Sequence, residues 1–307
     1  MRIGVSIDVR GSVPEICEQA ARQRQRGFVS IWASQIFGYD ALGLLAVVGS
    51  RVADVELGTA VVPVYSRIPQ VMAQQALTAQ AASGGRLTLG IGLSHRVVVE
   101  GLWGLSFERP ARYLREYLEI LVPMLAGERV QHSGEVLTAR TTGPLEIPAP
   151  PPPLIVAALA PTMLRLAGRM ADGTVTWMTG TKTVAEHIVP TIGAAAHEAG
   201  RREPRVVVTL PVTVTADAQG ARRRIDEVFA IYPTLPSYAA MLEREGAIAP
   251  SDVAFVGDED DVAASVARLE ATGATDFVAG IVGNAEERAR TADVLGSLAV
   301  SGGSSSA

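Results

Sequence analysis

Val55 to Leu93 reads VELGTAVVPVYSRIPQVMAQQALTAQAASGGRLTLGIGL. Its ends, VELGTAVV (Val55–Val62) and RLTLGIGL (Arg86–Leu93), are short apolar runs of the kind that form buried strands. Between them Pro69 opens a helix that should reach about Ala82. Strand and helix together take about 30 residues, the length of one βα unit.

The same unit recurs in both directions along the chain. Toward the N-terminus, RIGVSID (Arg2–Asp8) predicts a strand, Pro14 opens a helix over Glu15–Arg26, and Gly27 closes it. FVSIWAS (Phe28–Ser34) predicts a second strand, and Asp40 can cap a helix running to Ala53. Beyond Leu93, Leu114, Tyr117, Leu118, Leu121 and Leu125 make one apolar stripe on a helix expected over Arg109–Ala126. A hairpin is expected near residues 129–139, around Gly134. Five prolines between Pro148 and Pro153 make an extended connector, since proline fits neither a helix interior nor a central strand. Strands five to seven follow at Leu154–Leu159, Gly173–Met178 and Arg205–Val214. Helices are expected over Pro161–Met170, Val184–Ala199 and Ala218–Ile231. Tyr232–Asp258 is an irregular stretch with a short helical piece. A helix over Asp260–Thr272, strand eight (Thr275–Val282) and a helix over Ala285–Leu298 complete the series.

Eight buried strands alternating with helices predict an α/β (β/α)8 TIM barrel with an insertion between strands seven and eight. We expect one domain over residues 1–300 and a flexible tail, Ser301–Ala307. A doubly wound sheet is the competing architecture, but it should carry Gly-x-Gly-x-x-Gly after its first strand. The nearest match, Gly90-Ile91-Gly92-Leu93-Ser94-His95, lacks the third glycine and follows strand four.

Composition narrows the function classes. Of 307 residues, 48% are hydrophobic and 19% charged, enough apolar material for a large core. The net charge of −5 offers no basic field to nucleic acid or to an anionic membrane. A single cysteine, Cys17, rules out an internal disulfide and a Cys-rich metal site. No charge-free apolar run of about 20 residues suggests a membrane span, and the start, MRIGVSIDVRG, is not that of a secretory signal. A cytoplasmic protein without a metal is expected. His132, His187 and His197 stand apart and are expected on the surface. Asp258-Glu259-Asp260-Asp261 is expected to be a capped helix start rather than a metal site.

In a barrel, function sits at the C-terminal strand ends. Here strands three, four and five end in Gly58-Thr59-Ala60-Val61, Gly90-Ile91-Gly92-Leu93-Ser94-His95-Arg96 and Ala157-Ala158-Leu159-Ala160-Pro161-Thr162. These residues are small and would let a flat ligand approach the backbone. The last segment enters a helix whose free N–H groups could receive a phosphate. Trp177, at the end of strand six, could wall such a cleft. Tyr232 and Tyr238 make the irregular stretch read as a lid or substrate wall, or else as a dimer contact. Gln35, at the end of strand two, also faces the expected pocket.

These features, with Arg67 and Pro69, Gln75–Gly92, Arg109-Pro110, Arg115-Glu116-Tyr117-Leu118, Ala167–Gly173 and Gly273-Ala274-Thr275-Asp276, resemble the bacterial luciferase-like monooxygenase superfamily. The closer resemblance is to its coenzyme F420-dependent oxidoreductase branch, and it covers Arg2 to about Ala299. It implies hydride transfer between the deazaflavin coenzyme and a small organic substrate, and a homodimer. It also implies a non-prolyl cis peptide at Ala60–Val61 under the coenzyme's ring. The coenzyme's side chain and phosphate would lie along Gly92, Leu93, Ser94, His95 and Arg96, and along Ala157, Ala158, Leu159, Ala160 and Thr162. The chain departs from the branch in two places. Gln35-Ile36 stands where many members carry Asp-His, and His95 stands where the sugar-phosphate dehydrogenases carry Glu. His95 thereby becomes the candidate acid/base group, or an anchor for the coenzyme. An FMN-dependent monooxygenase using oxygen and a reductase partner, and a non-catalytic cofactor-binding barrel, are the alternatives.

Overall fold

The structure, a computed structural model, describes residues 1–303. Eight parallel strands close into a ring: β1 (Arg2–Ser6), β2 (Ser30–Ala33), β3 (Glu56–Thr59), β4 (Leu87–Gly92), β5 (Leu154–Ala157), β6 (Gly173–Trp177), β7 (Arg205–Val214) and β8 (Asp276–Ile281). Each pairs with the next, and β8 pairs back onto β1, so no edge of the ring is left open. The architecture is the expected (β/α)8 barrel.

Local chemistry accounts for the helix starts. Ser12 and Glu15 form a capping box at the head of Val13–Gln25, and Asp40 accepts from Gly43 N at the head of Ala41–Arg51. Pro69, Pro110 and Pro161 each occupy the first turn of their helices. Asp258 caps Glu259–Glu270 through Asp261 N, so the acidic run is a helix start, as expected.

The connection after β4 carries a short helix (Arg96–Val99), a long one (Pro110–Leu125) and an antiparallel hairpin (Gln131–Ser133 with Thr138–Arg140). The buried Glu116 accepts from Glu135, Val136 and Leu137 N at 2.8–3.0 Å and seats that hairpin. The insertion between β7 and β8 holds a helix, Pro236–Glu245, and a strand, Phe255–Gly257, which pairs with the far end of β7. That strand was not expected from the sequence. The last helix runs over Ala285–Gly303 and so enters the stretch expected as a tail; residues 304–307 lie outside the described residues. Among the described residues no helix is long and apolar enough to cross a membrane.

Candidate active site

Alternation along the strands sends every second side chain into the barrel, and the strand registers arrange these inward positions in three levels. At the N-terminal end lie Arg2, Glu56, Thr88, Arg205 and Asp276. Arg205 pairs with Glu56 at 3.0 Å and with Asp276 at 2.6 Å, Arg2 also pairs with Glu56, and Thr88 donates to Glu56 at 2.6 Å. Burial raises the Glu56 pKa, but the two arginines outweigh it and hold the carboxyl below its usual range.

The middle level is apolar: Trp32, Ile155, Val175, Val207 and Val278 form one buried cluster. The Trp32 indole lies so close to β3 that a Cβ at Gly58 would overlap its ring. Its Nε1 donates to Ser30 Oγ at 2.9 Å. This plug closes the barrel from below.

The upper level, at the C-terminal strand ends, is different. Its inward residues are Ser6, Ser34, Ala60, Gly92, Ala157, Trp177, Thr209 and Gly280. Ser6, Ser34, Ala60, Ala157, Trp177 and Gly280 are part-exposed, although the strands that carry them are otherwise largely buried. Apart from Trp177 these side chains are small, and they leave an open bowl above the Trp32 plug.

The bowl is shaped by the chain between β3 and β4. The Ala60–Val61 peptide is cis, as the resemblance implied. Ser34 Oγ donates to Ala60 O at 2.7 Å, and Gln35 N donates to Val61 O. Thr59 Oγ1 donates to Gly90 O and accepts from Gly90 N, replacing the strand pairing lost where β3 ends. Val61 turns back over β4, where a Cβ at Gly92 would sit 2.8 Å from its Cγ2. The glycines of β4 thus serve first to admit the chain's own Thr59 and Val61, a reason the sequence alone did not reveal.

Leu93, Ser94, His95 and Arg96 follow directly. Ser94 is left-handed (φ 63°), as is Met178 (φ 52°) after β6. Such non-glycine conformations cost ~1 kcal/mol or more and tend to mark functional loops. Arg96 pairs with Glu100 at 2.6 Å and lies over the Phe107 ring. After β5, Ala157, Ala158, Leu159 and Ala160 lead into the helix at Pro161, and Thr162 is exposed in its first turn. His187, expected on the surface, is instead buried: its Nε2 meets Leu159 O at 2.8 Å and fixes this turn from behind. It lies in a π-helical turn, Val184–Ile188, that the sequence pattern did not disclose.

Of the residues expected to contact substrate, three come together and one stands apart. Trp177 meets Tyr232 edge-on at 5.9 Å, Tyr232 meets Tyr238 at 4.9 Å, and Tyr238 meets His95 at 5.6 Å. An aromatic wall thus runs from β6 through the insertion to β4. Burial raises the phenol pKa of both tyrosines, so both are neutral at pH 7. Burial lowers the His95 pKa, so its imidazole is neutral as well and retains one donor and one acceptor nitrogen. Gln35 is committed elsewhere: its Oε1 accepts from Arg67 and from Ala41 N, and Arg67 also pairs with Asp40. It braces the loop after β2.

Sequence reading missed Ser34, Thr209 and Gly280 in the upper level. Counting every second residue from Arg205 along β7 would have found Thr209. Asp8, beyond the bowl on the β1 side, is held by Arg10 at 2.7 Å and lines a cavity of about 720 Å³ with Glu15 and Arg288.

Comparison with known proteins agrees with the fold. The sequence profile of the luciferase-like monooxygenases matches residues 1–287. The chain is 31% identical over 229 residues to an F420-dependent glucose-6-phosphate dehydrogenase of Nakamurella multipartita, covering 70% of this chain and 67% of that one. It is 27% identical over 259 residues to 5,10-methylenetetrahydromethanopterin reductase of Methanolobus tindarius, covering 84% and 78%. It spans about half (54%) of another relative, from Mycobacterium tuberculosis, at 32% identity over 188 residues, 56% of this chain. The fold superposes on that of the coenzyme F420-dependent tetrahydromethanopterin reductase of Methanopyrus kandleri with a TM-score of 0.82 at 22% identity, covering 98% and 99% of the two chains. The chain belongs to the luciferase-like monooxygenase family.

Proposed function

We propose that this chain is an F420-dependent oxidoreductase acting on a small organic substrate. The observation that carries the reading is the open bowl of small residues at the C-terminal mouth, sealed below by Trp32 and walled by aromatic rings. A flat ring system fits there, while bulky inward residues would exclude it. Ala60, Val61, Gly92 and Ala157 would support the deazaflavin ring. Leu93, Ser94, His95 and Arg96, with Ala158, Leu159, Ala160 and Thr162, would hold its side chain and phosphate. When bound, the coenzyme supplies two-electron hydride transfer. The chain would supply position, a dry wall and a proton site: neutral His95 would take a proton from a substrate oxygen or return one.

A homodimer belongs to the same reading. Ile36 and Phe37 are 65% and 68% exposed, Ile68 is 57% exposed, and the Arg67–Asp40 pair ties their loops together. They offer a second copy an apolar face. We assign the protein to the cytoplasm, where a reduced coenzyme pool can be regenerated.

Equilibrium fluorescence titration with F420 and with FMN tests the assignment. F420 should bind more tightly. Tighter FMN binding with oxygen-dependent turnover would make the protein a monooxygenase, and binding of neither would make it a non-catalytic barrel.

A further inference from the structure

The turn after β5 is held from inside the protein by His187, which belongs to the next βα connection. His187 is 7% exposed, and its Nε2 lies 2.8 Å from Leu159 O. A carbonyl oxygen only accepts, so Nε2 carries the proton and donates. The imidazole reaches Leu159 from an irregular helix. Val189 N donates to Val184 O, five residues back, which makes Val184–Ile188 a π-helical turn. Pro190 follows at once and has no N–H with which to continue an α-helical ladder. Single π turns of this kind recur at functional sites. The head of the segment is fixed too. Glu245 accepts from Lys182 N at 3.1 Å and from Thr183 N at 2.7 Å, and a Cβ at Gly180 would overlap its carboxylate. Glu245 ends the helix Pro236–Glu245, which also carries Tyr238. The grip on Leu159 O therefore comes from a segment that is itself anchored.

Peptide geometry carries this grip to the outer face of the turn. Leu159 O and the Ala160 N–H belong to one trans peptide, and in a planar trans peptide the C=O and N–H point in opposite directions. Holding the oxygen toward the buried imidazole turns the N–H away from it. Ala160 is exposed, and its N–H donates to no group among the described residues. Ala160 is also the N-cap of the helix Pro161–Met170, whose positive end favours an anion. One buried side chain thus sets the direction of a free N–H on the surface.

We propose that His187 is a positioning residue for the coenzyme: it fixes the Leu159–Ala160 peptide so that the Ala160 N–H donates to the coenzyme's phosphate. His187 would govern how tightly the phosphate is held and leave the chemistry of the ring untouched. This rests on the coenzyme reading above, and the test separates the two.

Equilibrium fluorescence titration with two ligands makes the test: F420 itself, and the deazaflavin nucleoside that lacks the phosphate and the chain beyond it. His187→Leu removes the donor and keeps an apolar side chain of similar size. It should weaken F420 about 10-fold and leave the nucleoside within about 2-fold, as loss of one hydrogen bond to a charged group predicts. His187→Gln, whose side-chain amide can donate from nearly the same position, should recover most of the F420 affinity. Ala160→Pro removes the N–H alone, at a φ of −72° that proline adopts. It should give the same split between the two ligands, and it keeps the test decisive if His187→Leu does not fold. The double variant should lose no more than either single one, because both remove the same bond. Unchanged F420 affinity in the single variants would overturn the assignment of His187 alone. So would equal losses for F420 and for the nucleoside, which would make His187 a support of the fold only, or losses that multiply in the double variant. A wild type that binds neither ligand would instead overturn the coenzyme reading, and the assignment with it.

Discussion

The two ends of one barrel interior are built on opposite rules. At the N-terminal end Arg2, Glu56, Thr88, Arg205 and Asp276 fill the lumen with charge, and their polar groups answer one another. At the C-terminal end the lumen holds, apart from Trp177, small residues with no charge among them. The Trp32 level separates them. A closed network fixes a fold; an open bowl at the C-terminal strand ends is where the proposed coenzyme would lie. On the proposed reading the difference gives stability to one end and chemistry to the other, and each substitution below presses on one end only.

The largest effect should come from the closed end. Arg205→Met removes the cation shared by Glu56 and by Asp276, which is 1% exposed. Breaking a buried ion pair from one side costs about 3–5 kcal/mol, read as a loss of unfolding free energy in urea. Part of this depends on pH. The folded-state pKa of Glu56 is lowered, so its contribution is present above the unfolded carboxylate value and is lost as pH falls through the folded one. F420 affinity of the folded fraction should be unchanged. A large loss of affinity would show that the two ends are not independent.

His95→Ala acts on the open end. It should reduce turnover by about 100-fold or more if the imidazole moves a proton, with urea stability nearly unchanged because the half-buried ring makes no hydrogen bond among the described residues. In the alcohol-oxidising direction, where a base is needed, the wild-type rate should fall as pH drops through a value below the ordinary 6.5 of histidine. The variant should lose that acid limb. Equal kcat with weaker coenzyme binding would instead assign His95 to anchoring.

The smallest effect belongs to Ile36, which stands where many relatives of the branch carry histidine. It is 65% exposed, so Ile36→Val should leave steady-state turnover within about 2-fold, far less than the ~0.8 kcal/mol of a fully buried methylene. A larger change would bring the loop after β2 into the site.

Much of this contrast was legible in the sequence, but unevenly. The barrel was, because each strand is one apolar run and the runs recur with helices between them; β7 falls on Arg205–Val214 as read. Phe255–Gly257 was not, because three residues inside an irregular stretch carry no period and the strand exists by pairing with Val212–Val214. The bowl was half legible. Glycine and alanine at the ends of β3, β4 and β5 are visible in the chain. Thr209 is hidden inside RVVVTLPVTV, where alternation gives Thr213 the same face and only the height along the closed ring separates the two: Thr209 pairs with Trp177 and Thr213 with Val256. His187 was misread for the same reason: its partner is a backbone carbonyl 28 residues away.

The central claim is that the small residues of the upper level are the bed of the coenzyme. Ala157→Phe tests it most directly, because the side chain is inward, part-exposed and close to the Cβ position of Gly92 (3.2 Å). Fluorescence titration of F420 against this variant should show affinity lowered by about 100-fold or more, since a phenyl ring placed in the bowl overlaps the coenzyme. Its urea midpoint should stay near that of the wild type. Unchanged F420 affinity in a folded Ala157→Phe protein would contradict the account and place the coenzyme elsewhere.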